Sequence, residues 1–115
     1  MKEKDATLLI VDDSQDVLDS LNLFLKHEFR DIHLLRDPRK LLMNVKRHEP
    51  DVVLLDMNFR PGERSGREGL SRLSEILAYD ATMVVIMLTA YADVDLAVEA
   101  IKRGATDFVV KPWDN

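Results

Sequence analysis

Thr7-Leu8-Leu9-Ile10-Val11-Asp12-Asp13 carries a nearly unbroken apolar run straight into two adjacent acids. A strand with one wet face alternates apolar and polar side chains. A continuous run suits a strand covered on both faces, as in a parallel sheet between helical layers. Four further runs follow it: Ile32–Leu35, Val52–Leu55, Met83–Leu88 and Phe108–Val110. The run at Ile32 is the most polar, with Asp31, His33 and Arg36 around it, and suits an edge strand.

Helical patterns separate the runs. Ser14 is placed to cap a helix in which Val17, Leu18, Leu21, Phe24, Leu25 and Glu28 share a mostly apolar stripe. Asp37-Pro38 reads as an N-cap with proline at the first helical position, leading into Leu41, Leu42 and Val45. Leu70, Leu73, Ile76 and Leu77 form a third stripe. Val94, Ala97, Val98 and Ile101 form a fourth, closed by Gly104 as a C′ glycine. Strands alternating with helices at this spacing build right-handed βαβ units, so the expected class is α/β, a doubly wound five-stranded parallel sheet. Residues 57–69 form a long connection with three glycines, one proline and the charges Arg60, Glu63, Arg64, Arg67 and Glu68. It is expected as a surface loop beside the carboxyl end of the third strand. The sequence stops at Asn115, just after the fifth run, which leads us to expect residues 1–115 to be one domain of a longer protein, with a fifth helix absent from this chain.

At 115 residues the length fits one domain, and 46% hydrophobic with 32% charged residues is a globular composition. There is no cysteine, so disulfides and thiolate metal sites are excluded, in keeping with a reducing cytoplasm. The net charge of -5 disfavours direct contact with nucleic acid. The N-terminus, Met1-Lys2-Glu3-Lys4-Asp5, is too charged for a signal peptide, and no apolar run approaches the roughly 20 residues that span a bilayer. A cytoplasmic protein is expected.

In an open parallel α/β sheet, ligands bind outside the carboxyl ends of the strands. The residues that end the runs are Asp12-Asp13, Asp56, Thr89 and Lys111-Pro112. Carboxylates brought together repel: at ~4 Å and an effective dielectric of about 20, each close pair costs about 4 kcal/mol. A cation offsets that cost. An all-oxygen site without His or Cys suits Mg²⁺ or Mn²⁺ rather than zinc. Beside such an ion Asp56 is a candidate nucleophile, while Thr89 and Lys111 supply the hydroxyl and positive charge that a transferring phosphoryl group needs around its oxygens. Each residue alone has a plainer reading: adjacent acids as a turn or cap, Thr89 as a helix cap, Lys111 as a surface lysine. All of them falling on the same end of one sheet favours the chemical reading. His27, His33 and His48 share no spacing and read as solvated surface; Met43, Met57, Met83 and Met87 read as gap-fillers.

The set Asp12-Asp13, Asp56, Thr89-Ala90 and Lys111-Pro112 resembles the signature of receiver domains in bacterial two-component response regulators. The resemblance spans nearly the whole chain. It implies a flavodoxin-like strand order 2-1-3-4-5, and phosphorylation of Asp56 by a sensor histidine kinase in a Mg²⁺-dependent reaction. Asp13 and Asp56 would ligate the metal through side chains, Asn58 through its backbone carbonyl and Asp12 through water. Thr89 and Lys111 would hold the phosphoryl oxygens. Phe108 stands where the family has its aromatic switch residue, though an aromatic in an apolar strand is also ordinary core, and the Lys111-Pro112 bond would be cis. The face of helix 4 and strand 5 would be the output surface, forming a homodimer and controlling transcription. The stretch Leu88–Asn115 resembles receivers of activators that carry an ATPase and a helix-turn-helix domain downstream. Such a domain is no enzyme in the usual sense; it promotes only its own phosphorylation and slow dephosphorylation, with Asn58 and Tyr91 tuning the lifetime. The 57–69 connection is several residues longer than the family's, leaving open whether Arg60, Arg64 or Arg67 reaches the phosphate. The rival reading is a metal-dependent phosphatase using an aspartyl-phosphate. Those enzymes place a second acid two residues after the nucleophile, where this chain has Asn58. A degenerate scaffold is disfavoured because every chemical residue is present, and a nucleotide-binding domain because no glycine fingerprint follows the first strand.

Overall fold

The computed structural model describes residues 5–59 and 66–111. Among them, five parallel strands, β1 (Thr7–Val11), β2 (Asp31–Leu35), β3 (Val52–Asp56), β4 (Val84–Thr89) and β5 (Asp107–Val110), pair in the order β2-β1-β3-β4-β5. Four helices connect them: α1 (Gln15–Leu25), α2 (Leu41–His48), α3 (Arg67–Tyr79) and α4 (Val94–Lys102). The expected class and strand order are both observed.

Side chains of β1 alternate between two apolar layers. Leu8 and Ile10 pack with Val17, Leu18 and Leu21 of α1 on one face. Leu9 and Val11 pack with Leu41 and Val45 of α2, Leu73 and Ile76 of α3 and Ala97 and Ala100 of α4 on the other. This is why the central strands read as unbroken apolar runs. The polar run at Ile32 is an edge strand, as its composition indicated. Ser14 caps α1 through the Val17 amide at 3.3 Å, and Asp37 takes the Arg39 amide at 3.0 Å across the short 3-10 turn that leads into α2.

Several side-chain expectations are corrected. α1 ends at Leu25, short of Glu28, and Phe24 is 83% exposed. It borders an apolar groove of about 350 Å³ shared with Leu21, Leu54, Ile86, Leu88 and Val109. The apolar run of β5 is not covered on both faces; this strand is the second edge, with Val109 47% exposed. On α4 the buried positions are Ala97 and Ala100, whereas Val98 and Ile101 face outward. Two alanines let the helix lie close on the sheet, and that closeness selects the small face over the large one. The 57–69 connection is not wholly a surface loop: Met57 and Phe59 are buried in the core, and α3 begins at Arg67. Met43 is exposed rather than a gap-filler. His33 and His48, on β2 and at the end of α2, stack with ring centroids 3.7 Å apart, so they are half-buried partners rather than solvated surface.

Candidate functional site

β1 and β3 are adjacent and in register from Leu8↔Val52 to Val11↔Leu55, so Asp12 and Asp56 both continue past that last pair. Backbone bonds hold both ends: the Asp12 amide donates to Leu35 O at 3.0 Å, and the Met57 amide to Leu88 O at 2.9 Å. The acids therefore stand on sheet backbone rather than on a wandering loop. Carboxylate oxygens of Asp12, Asp13 and Asp56 all lie within 4.8 Å of one another. Asp12 and Asp56 are buried, Asp56 to 3% exposure, while Asp13 is half-buried at the rim.

The Lys111 amide donates to Thr89 O at 2.9 Å, extending the β4–β5 ladder by one bond. That extension aims the side chain back across the strand ends. Lys111 Nζ lies 3.0 Å from Asp56 Oδ1 and 2.9 Å from Asp12 Oδ2. One ammonium faces three carboxyls, which leaves the site net negative. Asp12 Oδ1 takes the Ser14 amide at 2.9 Å, tying the acid to the start of α1. Asp56 Oδ2 is buried without any hydrogen bond, and Asp12 Oδ2, equally buried, meets only the Lys111 ammonium at 2.9 Å.

Burial and repulsion from Asp12 push the Asp56 carboxyl up to about 7, although Lys111 pulls it back. Asp13 is raised for the same two reasons, burial first and Asp12 second. For Lys111, burial works against the charge, but attraction to Asp56 and Asp12 outweighs it and the amine is held above its ordinary value. Three converging carboxyls, two of them held above their ordinary range and one with an orphaned buried oxygen on Asp56, fit an oxygen-seeking divalent cation.

Thr89 is buried at the end of β4, one residue beyond the Asp56↔Leu88 pair. Its hydroxyl is turned to the following turn, donating to Asp93 O and Ala90 O, each at 3.3 Å. The Asn58 side chain accepts from the Gly66 amide at 2.8 Å and donates to Asp93 Oδ2 at 3.3 Å. Phe108 is half-buried against the layer formed by α2, α3 and α4. Asp93 is the site residue that sequence reading passed over. An Asp before a helix is ordinarily a cap, and nothing local reveals that its carboxylate turns to residue 58 instead. Pro112, Arg60, Arg64 and the Tyr91 side chain lie outside the described residues; Arg67 is the first residue of α3.

Gly69 is required by close approach. A Cβ there would fall on the Met57 carbonyl oxygen, 2.8 Å from Met57 Cα and 2.9 Å from Asp56 O. All three are backbone atoms that cannot swing aside. Gly69→Ala is expected to cost about 3 kcal/mol of stability through overpacking. Urea unfolding would measure it, and a loss under about 0.5 kcal/mol, the size of an ordinary surface substitution, would show that the strand end yields more easily than this geometry implies.

A family model described as the response regulator receiver domain matches residues 8–115. The chain is 35% identical over 107 residues to the regulatory protein AtoC of Escherichia coli (strain K12), covering 93% of this chain. It is 34% identical over 109 residues to the chemotaxis protein CheY of Listeria monocytogenes, covering 92% of this chain and 86% of that protein. The solved N-terminal signal receiver domain of a two-component system response regulator from Bacteroides fragilis is similar at TM-score 0.83 and 47% identity, covering 94% of this chain and 85% of that one. The receiver domain of NtrX from Brucella abortus is similar at TM-score 0.81 and 32% identity, covering 93% and 87%. This chain spans only 22% of AtoC and 25% of the transcriptional regulatory protein ZraR of Escherichia coli. No helix among the described residues is long and apolar enough to cross a membrane. With a receiver-like sheet, an acid cluster at its carboxyl edge and a family match along nearly its whole length, this chain belongs to the response regulator receiver domains of two-component signalling.

Proposed function

We propose that the chain accepts a phosphoryl group on Asp56 from a histidine kinase and passes the change to the face of α4 and β5. The observation that carries this reading is the convergence of Asp12, Asp13 and Asp56 within 4.8 Å, with Lys111 bridging two of them. Asp13 and Asp56 would hold Mg²⁺ through carboxylates, Asn58 through its carbonyl and Asp12 through water. When bound, the cation supplies positive charge that offsets repulsion between the carboxylates and the incoming phosphoryl oxygens.

An Asp56 oxygen forms the new bond to phosphorus as the donor's bond from phosphorus to imidazole nitrogen breaks, the electron pair leaving with the imidazole. Lys111 is close enough to move from Asp56 Oδ1 onto a phosphoryl oxygen. Thr89 supplies a second donor once its hydroxyl leaves the turn. Phe108 and the outward Val98, Ile101 and Val109 would carry the change to a partner, a second copy of the chain being the expected one, and through it to transcription. The activity is confined to this self-modification and its slow reversal, in the cytoplasm where the donor kinase acts. Asn58, whose side chain is committed to Gly66 and Asp93, leaves a turnover phosphatase without its second acid.

Intact mass after incubation with acetyl phosphate and Mg²⁺ tests this. One added phosphoryl group is expected on the wild type, and none in EDTA or on Asp56→Asn. An adduct that persists on Asp56→Asn would place the chemistry elsewhere.

A further inference from the structure

Asp93 is where the turn after β4 closes. It precedes α4 as the N-cap residue but makes no side-chain cap bond, although an Asp there ordinarily accepts from a first-turn amide. Its carboxylate reaches across to Asn58 Nδ2 at 3.3 Å, and its carbonyl takes the Thr89 hydroxyl at 3.3 Å. The residue is buried, so the Thr89 contact is shielded from water and the Asn58 contact partly so. Asn58 also takes the Gly66 amide at 2.8 Å. Gly66 sits at φ +69, a conformation that residues with side chains rarely adopt, and a Cβ there would press on Leu96 Cδ1 of α4 at 2.9 Å. One run of hydrogen bonds thus links the β3–α3 connection, the residue two past Asp56, and the hydroxyl at position 89.

We infer that Asn58 and Asp93 form a latch, a positioning pair that keeps Thr89 Oγ1 on the turn and away from Asp56. A group on Asp56 that draws the Thr89 hydroxyl toward itself must open this contact. The inference rests on the phosphoryl-acceptor reading above. A contact present only in the closed arrangement lowers apparent affinity for anything that needs the open one. Losing one charge-assisted hydrogen bond of that kind should tighten binding of a phosphoryl mimic about five- to tenfold. The long connection thereby gains a role: it anchors Asn58 through Gly66 and so sets how firmly Thr89 is held.

Titration calorimetry with beryllofluoride and Mg²⁺ tests the latch on the wild type, Asp93→Ala, Asn58→Ala and the double variant. Each single change is expected to tighten beryllofluoride binding about five- to tenfold, and the double no more than either single. On Asp93→Ala, which is not among the residues that would hold the cation, affinity for Mg²⁺ alone should stay at the wild-type value. Asp95→Asn, an exposed acid in the first turn of α4, removes equal charge without the contact and should leave beryllofluoride binding unchanged. Asn58→Ala carries the test by itself if Asp93→Ala does not fold. Variants that match the wild type, effects that simply add, or equal tightening of Mg²⁺ alone on Asp93→Ala would each overturn the latch. A wild type that binds no beryllofluoride and takes up no phosphoryl group would instead remove the acceptor reading, and the latch with it.

Discussion

Asp56→Asn is expected to raise the stability of the metal-free protein at pH 8 by up to about 4 kcal/mol, and to do so progressively less as the pH is lowered toward 4. Asp56 ionises at 3.8 in the unfolded chain and at about 7 in the folded one, chiefly through burial and secondly through Asp12. Between those values the folded state binds the extra proton. The stability associated with that proton is fully present below 3.8 and is lost as the pH rises through about 7. Asparagine keeps the shape of the side chain and removes the charge, so the variant should lack this slope. Urea unfolding in EDTA at several pH values measures both curves. Adding Mg²⁺ should stabilise the wild type more than the variant at pH 8. A variant less stable than the wild type at pH 8, or a difference that does not change with pH, would mean that the buried carboxylate is not the source of the strain.

Lys111→Met should act in the opposite direction and as strongly. The ammonium touches both Asp12 and Asp56, and its amine is held above its ordinary value in the folded protein. A raised amine contributes stability that is fully present below 10.5 and lost only at higher pH, so at pH 8 all of it is in place. Removing one partner of a buried ionic cluster leaves the others uncompensated, at about 3–5 kcal/mol. Part of that loss should vanish near pH 5. There Asp56 carries a proton, and losing Lys111 pushes its carboxyl higher still because the lysine normally lowers it. Phosphoryl uptake from acetyl phosphate should slow on the order of a hundredfold, the usual effect of deleting one donor around a developing charge. Wild-type stability for Lys111→Met at pH 8 in EDTA would contradict the bridging role.

The strands and the acids were legible in sequence for one reason. A strand buried on both faces must be apolar until it leaves the sheet, so the first polar residue marks both the strand end and the candidate site. Asp12, Asp56 and Thr89 were found that way, and Lys111 by the same rule at the edge. Side-chain exposure on the helices was less legible. Apolar periodicity does not say which of two candidate faces turns inward, and on α4 the alanines won over Val98 and Ile101 because they allow a shorter distance to the sheet. Phe24 continues the stripe of α1 but overhangs a groove instead of filling a core. Asp93 was invisible because its significance depends on Asn58, a residue 35 positions away. The stacking of His33 on His48 was missed for the same reason, since only the fold brings β2 and the end of α2 together.

The amides of Asp12 and Met57 are fastened to neighbouring strands at the edge where the three acids converge. The acid cluster is thus mounted on an anvil: the sheet gives it a fixed frame, and force developed at Asp56 has nowhere to go along the strands. What can yield instead are the pieces joined to that frame through side-chain bonds, namely the turn at residues 89–93 and the contact of Gly66 with Asn58. On the phosphoryl-acceptor reading, a change made at Asp56 is therefore read at the rim of the molecule.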